Sequence, residues 1–400
     1  MLNFSWQQLT SYSPLSGSPI TRDSAAMIPS ESPSRRWPTV ADSLASRKLR
    51  LLLATALIIS LFLAYHRYGA PAGLPTEWAE GNSASQQPPA PASGTTGNTG
   101  VDVDWSRFAY TQYVTDSDYL CNSVMLFERL QHLESRADRV MMYPSHMLDP
   151  TAASSPTSRD ARLLIKARDE YNVKLVPIEV QRRDGADRTW AESFTKLLAF
   201  NQTQYERVLS LDSDSVVLQS MDELFLLPPC PMAMPRAYWL YPDTKILSSQ
   251  VMLLQPSTTE FDRVMDAVST SARGDYDMEI VNTLYGDSAL VLPHRPYDAL
   301  TAEFRAAPDR HGYYLGSETE EWDPVAAFNE VKFLHFSDWP TPKPWLSTPE
   351  STKLKMQPEC HMRNGVESCI ERDMWNGFYD DFRQRRKRVC ENLPAERLRR

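Results

Sequence analysis

The 400-residue chain has no CxxC pair and no cysteine–histidine cluster at zinc-ligand spacing, which excludes the common structural zinc sites. It lacks an excess of positive charge. Its net charge of −9 and pI near 5.4 argue against a general nucleic-acid binder. No internal repeat is visible, so solenoids and propellers are set aside. The one long uncharged apolar run, Leu51 to Tyr65, is shorter than the about 17–25 residues of a usual membrane span. Cysteine is scarce: Cys121, Cys230, Cys360, Cys369 and Cys390 make five, an odd number that leaves at least one without a partner in the chain. What the chain does hold is aromatic residues: 10 Trp, 17 Tyr and 14 Phe suffice for a sizeable core.

The ends do not read as globular. Residues 1–48 are rich in Ser and Pro with no apolar period, and are expected to be a disordered cytoplasmic tail. Residues 49–66 hold the short apolar run, which Leu49 and a snorkelling Arg50 extend at one end. A cleaved signal peptide would sit at the extreme N-terminus, and a buried helix is the other alternative. Arg35, Arg36, Arg47, Lys48 and Arg50 precede the run, whereas only Arg67 stands close after it. The positive-inside rule therefore places the C-terminal remainder of the chain across the membrane. The expectation is a single-pass type II anchor in the Golgi, since a short span suits a thin early-secretory bilayer. Residues 67–103, rich in Ala, Pro, Gly and Ser, are expected to form a flexible luminal stem. Residues 104–350 read as one catalytic domain and 351–400 as a Cys-containing, basic extension. In an oxidising lumen Cys360 and Cys369 are the expected disulfide, and Cys121, on a helical apolar face, a buried thiol. Asn201-Gln202-Thr203 is a glycosylation sequon if Asn201 is luminal and exposed. The basic run Arg383 to Arg388 reads as a solvated helix face.

Within the domain, strand-like stretches at Phe108 to Val114, Arg139 to Tyr143, Lys174 to Ile178 and Val208 to Leu211 alternate with helical patterns at Asn122 to Leu133, Arg159 to Glu170 and Trp190 to Phe200. That alternation predicts an α/β fold with a mostly parallel, doubly covered sheet. The fourth strand ends in Asp212-Ser213-Asp214. Two carboxylates one residue apart on extended chain point the same way and can share a divalent ion, although a solvated turn is the plainer alternative. Val331 to Phe336 reads as a strand that delivers His335. Asp and His are acceptable ligands for Mn²⁺.

Four blocks in order carry a resemblance: Ala109 to Tyr119, Phe194 to Leu197, Leu211 to Asp214 with Met221 to Phe225, and Asp277 to Asn282 with His335 and Lys343-Pro344-Trp345. From about Arg107 to Trp345 the chain resembles glycosyltransferase family 8, the glycogenin-like enzymes. Within it the match is to the fungal Golgi branch of glucose N-acetyltransferases, which are N-acetylglucosaminyltransferases. The resemblance implies a GT-A fold, a UDP-sugar donor, a glycan acceptor, Mn²⁺ and retention of anomeric configuration. Mapped onto this chain, it implies a uridine site at Tyr113, Thr115 and Tyr119, and donor contacts from Ser213, Lys196 and Lys343. It further implies metal ligands Asp212, Asp214 and His335, and catalytic roles for Asp277 and Lys196. Plainer alternatives stand beside these: core aromatics for the tyrosines, solvated positions for the lysines, a core histidine, and helix-capping acids for Asp277 and Glu279.

The chain also lacks parts of the family pattern. The Gln often found after Asp277 is Met278, so no amide there can act as a nucleophile. The usual Asn-Ser-Gly is Ser248-Ser249-Gln250, and His335 and Lys343 stand eight apart rather than the common six. Two rival functions remain: a sugar-binding protein without turnover, and a phosphohydrolase of the haloacid-dehalogenase type. The latter needs a second acid after Gly286-Asp287, and Ser288-Ala289-Leu290-Val291 supplies none.

Overall fold

Alternate residues of the central strands feed two separate apolar clusters, one on each face of a seven-stranded sheet. The computed structural model describes residues 103–148, 158–182, 192–241, 243–363 and 365–391. The expected tail, anchor and stem lie outside them, apart from Val103 at the stem's end. Among the described residues no helix is long and apolar enough to cross a membrane.

The chain enters the sheet at β1 (Phe108–Tyr113), crosses by α1 (Ser117–His132) to β2 (Asp138–Pro144), and by α2 (Arg159–Tyr171) to β3 (Val173–Ile178). A 3₁₀ segment, Ser193–Asn201, leads into β4 (Arg207–Leu211). Next come β5 (Ser215–Val217), β6 (Met232–Pro235), β7 (Val251–Leu254), α3 (Thr258–Thr270), α4 (Asp277–Tyr285), β8 (Leu290–Leu292), β9 (Ala299–Leu300) and β10 (Phe333–His335). A hairpin of β11 (His361–Arg363) and β12 (Val366–Ser368) precedes the long α5 (Ile370–Arg386).

The large sheet runs β3-β2-β1-β4-β7-β6-β8. The pairs β2–β3, β1–β2, β1–β4 and β6–β8 are parallel, and β7 is antiparallel to both neighbours, so the sheet is mostly parallel as expected. Side chains alternate across it with period two. Val140 and Met142 of β2 join Phe194, Phe200, Val264 and Ile280 on one face, whereas Met141 and Tyr143 join the cluster of α1, α2 and α5 on the other. Double coverage explains why these strands are apolar on both faces.

Start signals are local. Asp116 accepts from the amides of Asp118 and Tyr119 at the head of α1, and Ser158 and Ser257 cap α2 and α3 in the same way. Three expectations need correction. The stretch before Asn201 is a 3₁₀ segment rather than an α-helix. Cys121 is not a free thiol: it is bonded to Cys390, which closes α5 onto α1, and Cys230 is the free cysteine. The basic run is only partly solvated: Arg383 pairs with Asp380 at the surface, but Arg385 and Arg386 are largely covered, against Glu128 and Asp118. The expected Cys360–Cys369 bridge is present and closes the β11–β12 hairpin. Asn201 is exposed, as its sequon requires.

Candidate active site

The turn Asp212-Ser213-Asp214 joins two sheets. Asp212 directly follows β4, and its amide donates to the Gln250 carbonyl at 3.0 Å, continuing the β4–β7 ladder. Asp214 directly precedes β5, and its carbonyl accepts from the Phe336 amide at 2.9 Å, continuing the pairing of β5 with β10. Between them Ser215 Oγ donates to the Asp212 carbonyl at 2.5 Å. Backbone pairing on both sides fixes the carboxylates on one side of the turn, at the carboxyl end of β4, where open α/β sheets bind ligands. The register that sets His335 opposite Ser215 brings the imidazole to the same place.

His335 Nε2 stands 2.9 Å from Asp214 Oδ1 and 3.8 Å from Asp212 Oδ2. One donor atom from each of Asp212, Asp214 and His335 lies within 4.8 Å of the others. Two carboxylates and an imidazole at that spacing fit Mn²⁺, which accepts oxygen and nitrogen ligands. His335 Nδ1 is buried and has no hydrogen-bond partner among the described residues, so the ring's one polar contact is Nε2, which donates to the acceptor-only carboxylate of Asp214.

Two lysines supply the positive charge around these acids. Lys343 Nζ donates to Asp214 Oδ2 and to the Phe336 carbonyl, both at 2.6 Å. Lys196 Nζ, buried, lies 2.8 Å from Asp212 Oδ1 and 2.7 Å from Asp277 Oδ2 and donates to the Ser249 carbonyl at 3.1 Å. Ser249 Oγ donates to the same Asp277 oxygen at 2.7 Å. Burial pushes the Asp212 carboxyl up, with Lys196 pulling against it. Burial acts on Asp214 as well, but His335 and Lys343 together outweigh it and hold that carboxyl well below the usual carboxylate range. Asp277 opens α4 without capping it. That task falls to Glu279, whose carboxylate accepts from the Tyr276 amide at 3.0 Å, so the two acids named together in the sequence have separate jobs.

The aromatic residues of the first block border this cluster. Tyr113, at the end of β1, donates to Asp212 Oδ1 over 3.4 Å, and Tyr119, in the first turn of α1, meets Trp345 edge-on with ring centroids 5.4 Å apart. Thr115 lies half-buried in the connection between them, and Ser213 is buried between the two carboxylates. Asp222 of the third block plays a structural part: it accepts from the Tyr110 hydroxyl and the Arg136 amide.

Two features were not foreseen. The loop between His335 and Lys343 is pinned by α5. Asp338, in the middle of that loop, accepts from Trp375 and Tyr379 of α5, and Phe336 packs against Phe382. The second is Asp298, fully buried just before β9, with no hydrogen-bond partner for either carboxylate oxygen among the described residues. Burial pushes its carboxyl up to about 8, an effect the nearby Ser248 hydroxyl only partly offsets.

No protein-family model matches the chain. Glucose N-acetyltransferase 1 of Aspergillus fumigatus is 45% identical over 307 residues, covering 73% of this chain and 79% of that protein. The chain belongs to the glucose N-acetyltransferase 1 family. A second member, from Gibberella zeae, is 65% identical over 294 residues, 73% of this chain; the aligned part spans 64% of that relative's own length. Among solved structures, the glycosyltransferase GlyE of Streptococcus pneumoniae aligns at 14% identity over 74% of this chain and 66% of its own, with a TM-score of 0.44.

Proposed function

We propose that this member of the glucose N-acetyltransferase 1 family is a retaining glycosyltransferase of GT-A type. It transfers a sugar, N-acetylglucosamine in our reading, from a UDP-sugar to a glycan acceptor. The proposal includes a single N-terminal anchor at residues 49–66 that places a catalytic domain from residue 104 in the Golgi lumen. The observation that carries the chemistry is the meeting of Asp212, Asp214 and His335 from two sheets.

Mn²⁺ held by those three residues would supply Lewis-acid stabilisation of the leaving diphosphate. Every other task falls to the chain itself. Lys343 sits beside Asp214 on the site's rim, half-buried, where a cation can meet a diphosphate. Lys196 holds Asp212 and Asp277 in fixed positions through one buried ammonium, so both acids present defined faces to the donor sugar. Tyr113 and Tyr119 offer ring surface for the uridine. Met278 is buried beside Asp277 and carries no amide, so retention in this chain cannot run through a side-chain amide at that position.

Asp214→Asn tests the proposal, because the amide keeps the shape and removes one charge. Turnover should fall about 10²- to 10³-fold, the usual cost of losing electrostatic stabilisation of a leaving group. Near-normal turnover by Asp214→Asn in the presence of a chelator would show that the stretch is only a turn.

A further inference from the structure

Trp339 is 67% exposed, more than any other aromatic residue among those described. A lone exposed ring is ordinary on a protein surface. The support beneath this one is not. Trp339 and Pro340 are the central residues of a turn in which the Thr341 amide donates to the Asp338 carbonyl at 2.7 Å. The Asp338 carboxylate, 4% exposed, accepts from the Arg305 guanidinium at 2.7 Å, the Trp375 indole N–H at 2.5 Å and the Tyr379 hydroxyl at 3.0 Å. Arg305 also donates to the Asp338 carbonyl and the Thr341 hydroxyl. Both sides of the turn are therefore tied down, Asp338 to buried groups of α5 and Thr341 through Arg305, while the Trp339 side chain faces solvent.

The turn belongs to the site. It lies midway along the loop that His335 opens and Lys343 closes, and Lys343 folds that loop back by donating to the Phe336 carbonyl and to Asp214. Lys196 and Asp277 occupy the buried side of the site and the part-exposed Lys343 its rim, which leaves the solvent side for a second substrate. An exposed indole carried on a pinned turn suits the apolar C–H face of a pyranose, whose hydroxyls stay hydrated at the ring's edge.

We propose that Trp339 is the stacking platform for the acceptor sugar, and that Asp338, caged by Arg305, Trp375 and Tyr379, is the residue that positions it. This rests on the transferase reading above. The test uses the full chain in detergent with Mn²⁺, measuring UDP released from UDP-N-acetylglucosamine, UDP-glucose and UDP-galactose. The acceptor probes are the methyl pyranosides of glucose, galactose, mannose and N-acetylglucosamine, titrated one at a time. At least one glycoside should stimulate release by the wild type. Trp339→Ala should then need about tenfold more of it for half-stimulation, which is about 1.4 kcal/mol, with a much smaller change in the rate at saturation. Trp339→Phe, which keeps a ring, should stay within about threefold of the wild type.

An unchanged half-stimulating concentration in Trp339→Ala overturns the inference. So does a wild type that releases UDP but answers to none of the glycosides, or a Trp339→Ala protein whose affinity for UDP falls as much as its affinity for the glycoside. A wild type that releases no UDP from any donor sinks the transferase reading itself, a result distinct from these.

Discussion

Replacing Lys196 by Met takes one charge out of the most buried part of the site. The ammonium is 3% exposed and bridges Asp212 at 2.8 Å and Asp277 at 2.7 Å. Burial works against its charge, and the two carboxylates more than compensate, raising the Lys196 pKa above its usual value. Met fills much of the same volume but leaves two shielded carboxylates without their shared partner. Removing one member of a buried pair costs about 3–5 kcal/mol. Asp277 keeps the Ser249 hydroxyl and Asp212 keeps the Tyr113 hydroxyl, so the lower end of that range applies, about 3 kcal/mol. At about 2–4 °C per kcal/mol for sizeable domains, the melting temperature should fall by roughly 6–12 °C. Scanning calorimetry in chelator and then in Mn²⁺ measures this. Because a divalent ion restores positive charge beside Asp212, Mn²⁺ should raise the variant's melting temperature more than the wild type's. A variant that melts within about 2 °C of the wild type in chelator, against the expected drop, would refute the reasoning. So would an equal response of the two proteins to the ion.

Two further outcomes are expected. Serine at both Cys121 and Cys390 opens a link between positions 269 apart in sequence, whose Cα atoms are 5.9 Å apart. The double variant should lose about 2–5 kcal/mol of stability, and hydrogen exchange should rise first across α5; unchanged protection of α5 would count against its role as a clamp. Asp298 gives a pH dependence of definite sign. Its folded pKa of about 8 is above the unfolded value, so the protonated acid's contribution is fully present below pH about 4, declines as pH rises and is gone above about 8. The wild type should therefore melt higher at pH 5.5 than at pH 8, by up to about 1.4 kcal/mol per pH unit. Asp298→Asn should flatten that slope, which thermal melts across the range will show.

How much of this was visible in the sequence depends on the range of each interaction. Asp212 and Asp214 stood out because an apolar strand ending in two acids has few explanations, and His335 because a short apolar run delivered it to a strand end. Strand alternation also announced the parallel half of the sheet. β6 was hidden, since Pro228 to Pro235 reads as a Pro-rich connection, and its pairing comes from β7 on one side and β8 on the other, both distant in sequence. One of the two carboxylate partners of Lys196 was equally hidden: Asp277 is 81 residues away, and nothing local joins them. The C-terminal helix is the clearest miss. Its basic run looked like a solvated face because Glu128 and Asp118, which neutralise it, come from a helix some 260 residues earlier. Cys390 likewise carries no local sign of Cys121. Nor does anything local point Trp375 and Tyr379 at Asp338, since those bonds form only when the loop after β10 folds down onto α5.

The central claim is that Asp212, Asp214 and His335 form a metal-dependent site for a nucleotide sugar. The most direct measurement is UDP release from UDP-N-acetylglucosamine by the purified full chain, first in chelator and then across a Mn²⁺ titration. Release should be absent in chelator, appear with Mn²⁺, and need a higher Mn²⁺ concentration in His335→Ala. Release that proceeds equally well in chelator would contradict the claim, as would its absence at every Mn²⁺ concentration.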